Sequence, residues 1–420
     1  MSKSQPTEQT DTSTLSEEAT ETDEATKGAH SVVTALEKAD VEITFGVQGG
    51  AIMPVYDALA DSDIHHVSMA HEQGASHAAD AYGIVSGKPG VTITTSGPGA
   101  TNLVTGIADA NLDSDPVVSL TGQVPQDMVG NDAFQETNTM GITSPVTKAN
   151  IFATSPDTVG DDVGTALALA AEGRQGPTLV DLPKNVTTGS TEVEPAEPTV
   201  PESYQVPAEE ADPHSVAAAA EALAEAERPL ILSGGGVIKS DASDQLREFA
   251  VEYGIPVVTT MPGLGSFPED NALAMEMGGM HGTGYANLAL SNCDLLLGVG
   301  TRFDDRLTGG IETFAPEATV IHVDIDPAEI SKNIHADYPL IGDAKAVLEQ
   351  LQEAMPGEPD AEEWRELTQT WKAEYAMGYE TPQDQPMRPQ FIVEAMNEAA
   401  AEDAIVTTGV GQHQMWAAQY

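Results

Sequence analysis

The stretch Gly90-Val91-Thr92-Ile93-Thr94-Thr95-Ser96-Gly97-Pro98-Gly99-Ala100-Thr101-Asn102 decides the fold. Its first part, Gly90 to Thr95, is short, uncharged and β-branched, the pattern of a strand buried on both faces. Gly97-Pro98-Gly99 ends it, and an Ala/Leu-bearing helix is expected from Asn102 to Leu112. The same strand-to-helix step recurs on either side. Ile43 to Val47 is a strand running into Gly49-Gly50, and Ala51 to Ala60 is a helix with Pro54 near its first turn. Ala29 to Ala39 and Glu72 to Val85 read as helices, and Val117 to Thr121 and Thr178 to Leu182 as strands. Strands alternating with helices predict a doubly wound parallel sheet, an α/β domain over residues 28–190.

Further along, a Pro/Glu/Thr-rich linker is expected at 191–212, then a second α/β domain at 213–356. Its strands are Pro229 to Leu232, Ile255 to Thr260, Cys293 to Val299 and Thr319 to Val323, and its helices Ser240 to Tyr253 and Ala344 to Met355. Residues 357–389 read as a second, partly helical linker. Residues 390–420 read as the opening of a third α/β unit, with a helix at Gln390 to Ala399, a strand at Ala404 to Thr408 and the loop Gly409-Val410-Gly411-Gln412-His413. Residues 1–27 are acidic and Ser/Thr-rich and are expected to stay disordered, since they hold too little apolar surface to offset the entropy of ordering.

The chain has 420 residues, 67 Asp+Glu against 17 Lys+Arg, and a formal net charge of −50. Such a field repels nucleic acid and anionic membrane surfaces. The acid is dispersed rather than gathered in one block, which suits a protein working in molar salt, where self-repulsion is screened within a few ångströms. No run reaches the roughly 18 apolar residues of a membrane helix. A single cysteine, Cys293, excludes an intrachain disulfide and a cysteine metal cage, and with no secretory signal a cytoplasmic location is expected.

Ligands of open α/β sheets bind beyond the carboxyl ends of the strands. In the first domain that rim carries Gly49-Gly50, Ser96-Gly97-Pro98-Gly99, Gly122-Gln123-Val124-Pro125 and the start of the Glu72 helix. Glycine lets a backbone approach a flat ligand closely. A lone glutamate at a helix start is ordinarily a partner of the helix dipole. Here it sits in His71-Glu72-Gln73-Gly74-Ala75, among Gly-rich turns. In the second domain three strands end in glycine or just before it, and Asp324 follows Gly300 at a distance that suits the ribose of a dinucleotide.

Taken together and in order, His71 to Asp80, Thr95 to Ile107, Gly122-Gln123-Val124-Pro125, Asp132-Ala133-Phe134-Gln135-Glu136 and Asp181-Leu182-Pro183-Lys184 resemble the thiamine-diphosphate-dependent 2-ketoacid enzymes. With Gly279-Met280-His281-Gly282, Arg302-Phe303-Asp304-Asp305-Arg306, His322 to Asp326 and Gly411 to Trp416, the chain is most similar to the catalytic (large) subunit of acetolactate synthase, also called acetohydroxyacid synthase.

The resemblance runs from about Gly28 to Tyr420. It implies decarboxylation of pyruvate and transfer of the two-carbon unit to pyruvate or 2-oxobutyrate, with thiamine diphosphate, Mg2+ and FAD as cofactors. It implies that Glu72 hydrogen-bonds N1′ of the aminopyrimidine, with Gly50, Pro98 and Asn102 beside that ring. Phe134 and Gln135 are placed near the reacting centre, Lys184 at the substrate entrance, and Val410, Gly411, Gln412 and His413 at the thiamine diphosphate. FAD is placed against Arg174, Gly234, Gly235, Thr260, Met261, His281, Gly300, Arg302, Asp305, Arg306, Asp324, Ile325 and Asp343, without a net redox role. Arginine suits the pyrophosphate because its planar fork pairs two oxygens at once. For Asp304 to Arg306 a local salt-bridged turn is the plainer reading.

Val47-Gln48, Ala70 and Asp127 depart from the family pattern, and none removes a group the chemistry requires. The family's Gly-Asp-Gly…Asn metal segment does not follow Gly411-Gln412-His413, so the chain is expected to be part of a longer protein and inactive alone, with the Mg2+ ligands outside it. The family also implies a homodimer or homotetramer with an active site between subunits, and a small regulatory subunit. Pyruvate oxidase, glyoxylate carboligase and a non-catalytic flavin-binding subunit remain as other readings. The first is disfavoured by Lys184 and the 302–306 segment, the second by Glu72.

Overall fold

In the computed structural model, residues 26–380, 386–401 and 403–420 are described. Most of the expected acidic tail lies outside them. The chain divides into two compact units: the residues up to Ala170 with Gly176–Val200, and Ala171–Gln175 with Pro201–Tyr420.

The first unit holds strands β1 (Thr26–Lys27), β2 (Ile43–Val47), β3 (His65–Ser68), β4 (Gly90–Thr94), β5 (Val117–Gln123), β6 (Ala149–Phe152), β7 (Thr178–Pro183) and β8 (Ser190–Thr191). Six of them form one sheet in the order β3-β2-β4-β5-β7-β6, parallel throughout. The chain enters at β2, runs to the edge at β3, and crosses back to β4 on the other side, so strand order reverses between β2 and β4. Successive residues serve opposite apolar layers, as strand pleating requires. Val118, Leu120, Val180 and Leu182 pack with Val32, Leu36, Ile52 and Val55 on one face. Val117 packs with Phe45, Ala75, Ala79 and Ala110 on the other. Truncating one of these fully buried aliphatic side chains costs roughly 2–5 kcal/mol.

The second unit holds β9 (Pro229–Ser233), β10 (Val257–Thr259), β11 (Ala274–Met277), β12 (Leu295–Val299), β13 (Thr319–Asp324) and β14 (Tyr338–Ile341). Their order is β11-β10-β9-β12-β13-β14, again all parallel. Counting from β9, this is the 3-2-1-4-5-6 order of doubly wound nucleotide-binding sheets, with its reversal between β9 and β12. Ile231, Leu297 and Ile321 face one core layer, and Leu230, Leu296 and Val320 the other.

Three expectations are corrected. Thr26–Lys27 is not part of a disordered tail, because it pairs antiparallel with Ser190–Thr191. The segment expected at 357–389 as a partly helical linker does hold a helix, but that helix packs into the core of the second unit. Glu362–Glu374 is a helix whose Trp364 is buried, and its indole N–H donates to the Pro229 carbonyl at 2.9 Å. A buried indole needs such a partner. Trp364 also meets Trp371 edge-on, with ring centroids 5.7 Å apart. Finally, Ala404 to Thr408 forms no strand: Ile405 and Val406 are exposed, and no described strand pairs with them. The helix after the 409–411 turn runs Gln412–Gln419. No helix of the described residues is long and apolar enough to cross a membrane.

Candidate active site and dinucleotide crevice

The parallel sheet of the first unit brings the ends of β2, β3, β4, β5 and β7 to one rim. At the reversal between β2 and β4, Gly49 and Thr95 meet. A Cβ on Gly49 would stand 2.4 Å from Thr95 Cβ, and the Ala51 N–H donates to Thr95 Oγ1 at 3.4 Å. After Gly97, whose φ of 56° suits glycine, Pro98–Thr101 forms a single helical turn.

Glu72 opens the helix Glu72–Ser86, capped by His71, whose Nδ1 accepts from the Gln73 N–H at 3.1 Å. Its carboxylate is half-buried at the helix N-terminus, where negative charge is favoured. The Asn102 side-chain amide donates to Glu72 Oε2 at 2.9 Å. Oε1 lies 3.6 Å from where a Cβ on Gly99 would stand. Among the described residues no other hydrogen bond to this carboxylate is formed. Gly50 is exposed, and a Cβ there would meet nothing within 4 Å. The carboxylate therefore stands beside a backbone floor without side chains, with one oxygen held and the other free to pair. Such a cradle fits a flat heterocycle with a ring nitrogen.

Behind Glu72 lies Tyr56, for which sequence reasoning assigned no role. Its hydroxyl donates to the Ile93 carbonyl at 2.8 Å, and burial followed by the nearby Glu72 carboxylate holds it well above the usual tyrosine range.

The Phe134–Gln135 loop reaches the same rim. A Cβ on Gly97 would stand 2.5 Å from the Gln135 carbonyl oxygen, so the loop rests on Gly97. Gln135 takes a φ of 57°, a left-handed conformation uncommon for a residue with a side chain. Phe134 is 87% exposed, which removes ordinary core packing as its role. The loop is anchored from below. Gln123 Nε2 donates to the Thr137 carbonyl at 3.1 Å and to Asp181 Oδ2 at 2.9 Å, and the Thr121 hydroxyl donates to Asp181 Oδ1 at 2.8 Å. Burial pushes the Asp181 carboxyl up to about 6, against the two hydrogen bonds that favour its ionised form. Asp181 entered the sequence reading only as the first residue of the family-like stretch Asp181-Leu182-Pro183-Lys184, with no role of its own. Lys184, the next residue after that strand, is exposed at the start of the helix Lys184–Thr188.

In the second unit the reversal between β9 and β12 is a contact of bare backbones. A Cβ on Gly234 would stand 2.1 Å from Gly300 O, and one on Gly236 would stand 2.6 Å from Gly300 Cα. Gly300 takes a φ of 57°. Around this crevice, Thr260 caps the turn containing Met261, and Met261 Sδ accepts from Gln414 Nε2 at 3.3 Å. The His281 carbonyl accepts from Gln419 Nε2, while His281 Nδ1 is buried with no hydrogen-bond partner.

Asp324 ends β13. Burial raises its carboxyl to about 6, and Oδ1 accepts from the Asp326 N–H at 2.9 Å. Ile325 follows, partly buried. The crevice thus offers glycine backbones, an orphaned imidazole nitrogen and a strand-end carboxylate, donors and acceptors that fit a dinucleotide.

Other expected residues have structural work. Arg174 pairs with Asp326 at 2.9 Å and with Glu329 at 2.6 Å. Asp343 caps the helix Ala344–Ala354 and accepts from the Ser240 hydroxyl at 2.7 Å. Asp304 caps Asp305–Thr308, and Asp305 and Arg306 pair at 3.3 Å in the open, as the plainer reading of this turn expected. Arg302 is partly buried beside them. Val410 is exposed, and Gly411, Gln412 and His413 form the start of the last helix of this second unit.

Each parallel sheet thus has, at its reversal point, a glycine-lined crevice of the kind in which open α/β sheets bind ligands. Residues 26–142 match the N-terminal TPP binding domain of thiamine pyrophosphate enzymes, and residues 216–351 match the central domain of the same enzymes. The chain is 48% identical over 401 residues to the acetolactate synthase large subunit of Corynebacterium glutamicum, covering 94% of this chain and 63% of that protein. It is 48% identical over 406 residues to the probable acetolactate synthase large subunit of Methanocaldococcus jannaschii, covering 94% and 68%. It is 46% identical over 403 residues to the acetolactate synthase of Mycobacterium bovis, covering 94% and 64%. The chain thus spans between 63% and 68% of the length of these relatives. It belongs to the acetolactate synthase large-subunit family.

Proposed function

We propose that these two units are the pyrimidine-binding and flavin-binding parts of an acetolactate synthase, with pyruvate as donor and pyruvate or 2-oxobutyrate as acceptor. The observation that carries the reading is the Glu72 carboxylate, held by Asn102 beside the bare Gly99 backbone at the sheet reversal. Thiamine diphosphate, when bound, supplies the electron sink for loss of CO2. Glu72 holds and exchanges a proton at the ring nitrogen, and Asn102 keeps its second oxygen from rotating away. Gly50 and Pro98 leave room for the ring. Gln135 and Phe134 border the acceptor, and Lys184 draws the anionic ketoacid to the entrance.

In the second unit Gly234, Gly235, Gly300 and Thr260 would lie along FAD, with Asp324 at its ribose. Arg302, Arg306 and Arg174 would serve its pyrophosphate, Arg174 on exchanging a carboxylate partner. Mg2+ and the diphosphate would be held by a further domain continuing from Val410–His413. A second copy of the chain would complete the active site, and a small regulatory subunit would modulate it. The −50 charge and the single buried cysteine support a cytoplasmic, salt-adapted setting.

The test joins the chain to a diphosphate-binding domain and supplies pyruvate, thiamine diphosphate, Mg2+ and FAD in molar KCl. Acetolactate formed without an electron acceptor is expected. Acetyl phosphate with peroxide would make the protein an oxidase. Flavin binding with no thiamine diphosphate binding would make it a non-catalytic flavin subunit.

A further inference from the structure

The loop that carries Phe134 and Gln135 is held by polar bonds rather than by burial. Between positions 125 and 138 no residue is buried. A segment with so little buried apolar surface opens readily unless hydrogen bonds fix it. Its turn is closed by Glu136, whose Oε1 accepts from the Gly130 N–H at 2.6 Å. Near its start, Asn185 Oδ1 accepts from the Gln126 N–H at 2.9 Å, in the open. Both ends of the loop meet one buried amide. Gln123 Oε1 accepts from the Val124 N–H at 2.8 Å, and Gln123 Nε2 donates to the Thr137 carbonyl at 3.1 Å. A single side chain therefore clasps the chain where it leaves the sheet and where it returns.

That amide has one permitted orientation. Its second N–H goes to Asp181 Oδ2 at 2.9 Å, and Asp181 Oδ1 accepts from the Thr121 hydroxyl at 2.8 Å. The Thr137 carbonyl and an ionised Asp181 only accept, so the amide nitrogen must face both and the oxygen is left for Val124. Exchanging the two ends of the amide would break all three bonds. Gln123 and Asp181 are 2% and 1% exposed, at the rim ends of the adjacent strands β5 and β7. An apolar pair of the same size would suit the sheet as well or better, because buried polar groups are costly to desolvate. What the polar pair adds is the hold on the loop. The loop in turn lies on Gly97, where a Cβ would stand 2.5 Å from the Gln135 carbonyl oxygen. Any shift of Thr137 carries Gln135 across that contact, beside Pro98 and Gly99.

We propose that Gln123, oriented by Asp181, is a positioning residue that sets where the Phe134–Gln135 loop stands on Gly97, and through the loop how the ketoacid is held. The link to the ketoacid rests on the acetolactate synthase reading, in which this loop borders the acceptor. The hold on the loop does not.

The test has two arms: amide hydrogen exchange on the chain itself, and pyruvate kinetics on the chain joined to a diphosphate-binding domain. Gln123→Met keeps roughly the side-chain volume and removes its three bonds. Exchange at Val124 and across residues 126–136 should speed up at least tenfold. KM for pyruvate should rise at least fivefold, with kcat changed less. Asp181→Leu should act in the same way, whereas Asp181→Asn, which keeps an acceptor for Gln123, should keep exchange slow. Thr178→Val removes a different buried bond of β7, to the Ala166 carbonyl at 2.9 Å. It should lower the melting temperature and move neither loop exchange nor KM. Unchanged loop exchange in Gln123→Met, or the same speeding in Thr178→Val, would overturn the proposal. A loosened loop with a wild-type KM would overturn its link to the ketoacid. A wild type that forms no acetolactate would sink the functional reading, and loop exchange would still decide the clasp. If Gln123→Met fails to fold, Gln123→Asn, one methylene too short to reach both Val124 and Thr137, decides the same question.

Discussion

Glu72 and Asn102, 30 residues apart in sequence, meet through a 2.9 Å hydrogen bond at the rim of one parallel sheet. The bond fixes one carboxylate oxygen and leaves the other beside a glycine backbone. Asn102→Ala frees the carboxylate to rotate. Turnover in the assembled enzyme is expected to fall about tenfold, the loss of roughly 1.4 kcal/mol of positioning. Unfolding stability should change by under about 1 kcal/mol, because the pair is half exposed. Parallel steady-state kinetics and thermal melts would show the split.

Gly49 and Gly50 stand side by side but should respond oppositely to alanine. At Gly49 the new Cβ would stand 2.4 Å from Thr95, so Gly49→Ala should lower the melting temperature by several degrees. At Gly50 the space is open, so Gly50→Ala should melt within about a degree of wild type yet bind thiamine diphosphate at least tenfold more weakly. Melting curves and cofactor titrations of the two variants would check this.

Asp181 gives a pH dependence of defined sign. Its carboxyl is pushed up to about 6, above the ordinary value of 3.8, chiefly by burial. The folded state therefore binds this proton more tightly than the unfolded chain. The contribution is full below about 4 and is lost as pH rises through 6, by up to roughly 3 kcal/mol. Asp181→Asn keeps an acceptor for Gln123 and removes the charge. The variant should gain stability relative to wild type on going from pH 4 to pH 7, measured by denaturant unfolding. A constant difference across that range would contradict it.

A chain of net charge −50 repels itself when salt is low. The melting temperature should rise by about ten degrees or more between 0.1 and roughly 2 M KCl, as screening shortens the reach of each carboxylate to a few ångströms. Scanning calorimetry over a KCl series reads this directly.

Central strands were legible from sequence because burial on both faces leaves a continuous apolar run, as in Gly90–Thr94, Val117–Gln123 and Leu295–Val299. Within the two six-stranded sheets, the strands that escaped notice, His65–Ser68, Ala149–Phe152, Ala274–Met277 and Tyr338–Ile341, are the four edges. Edge strands have one neighbour and tolerate polar residues, so their runs are broken. The segment carrying Trp364 was read as a partly helical linker, without its packing, because a Glu-rich surface surrounds one buried indole.

At the site, Glu72 stood out through its Gly-rich setting, whereas its bond to Asn102 depends on which strand ends lie side by side. Sequence pattern does not state that Gln123 ties Asp181 to the Phe134–Gln135 loop, since Asp181 lies on a strand reached only after the chain has crossed to the sheet edge and back. The pairing of Arg174 with Asp326 and Glu329 was hidden for the same reason.

The central claim is that the Glu72 carboxylate serves the cofactor ring. The most direct measurement is hydrogen–deuterium exchange at C2 of bound thiamine diphosphate, followed by NMR, in assembled enzyme carrying Glu72 or Glu72→Gln. Exchange slowed by about a hundredfold or more in the variant, with the melting temperature and flavin binding kept, is the expected result. Exchange at the wild-type rate in Glu72→Gln would contradict it.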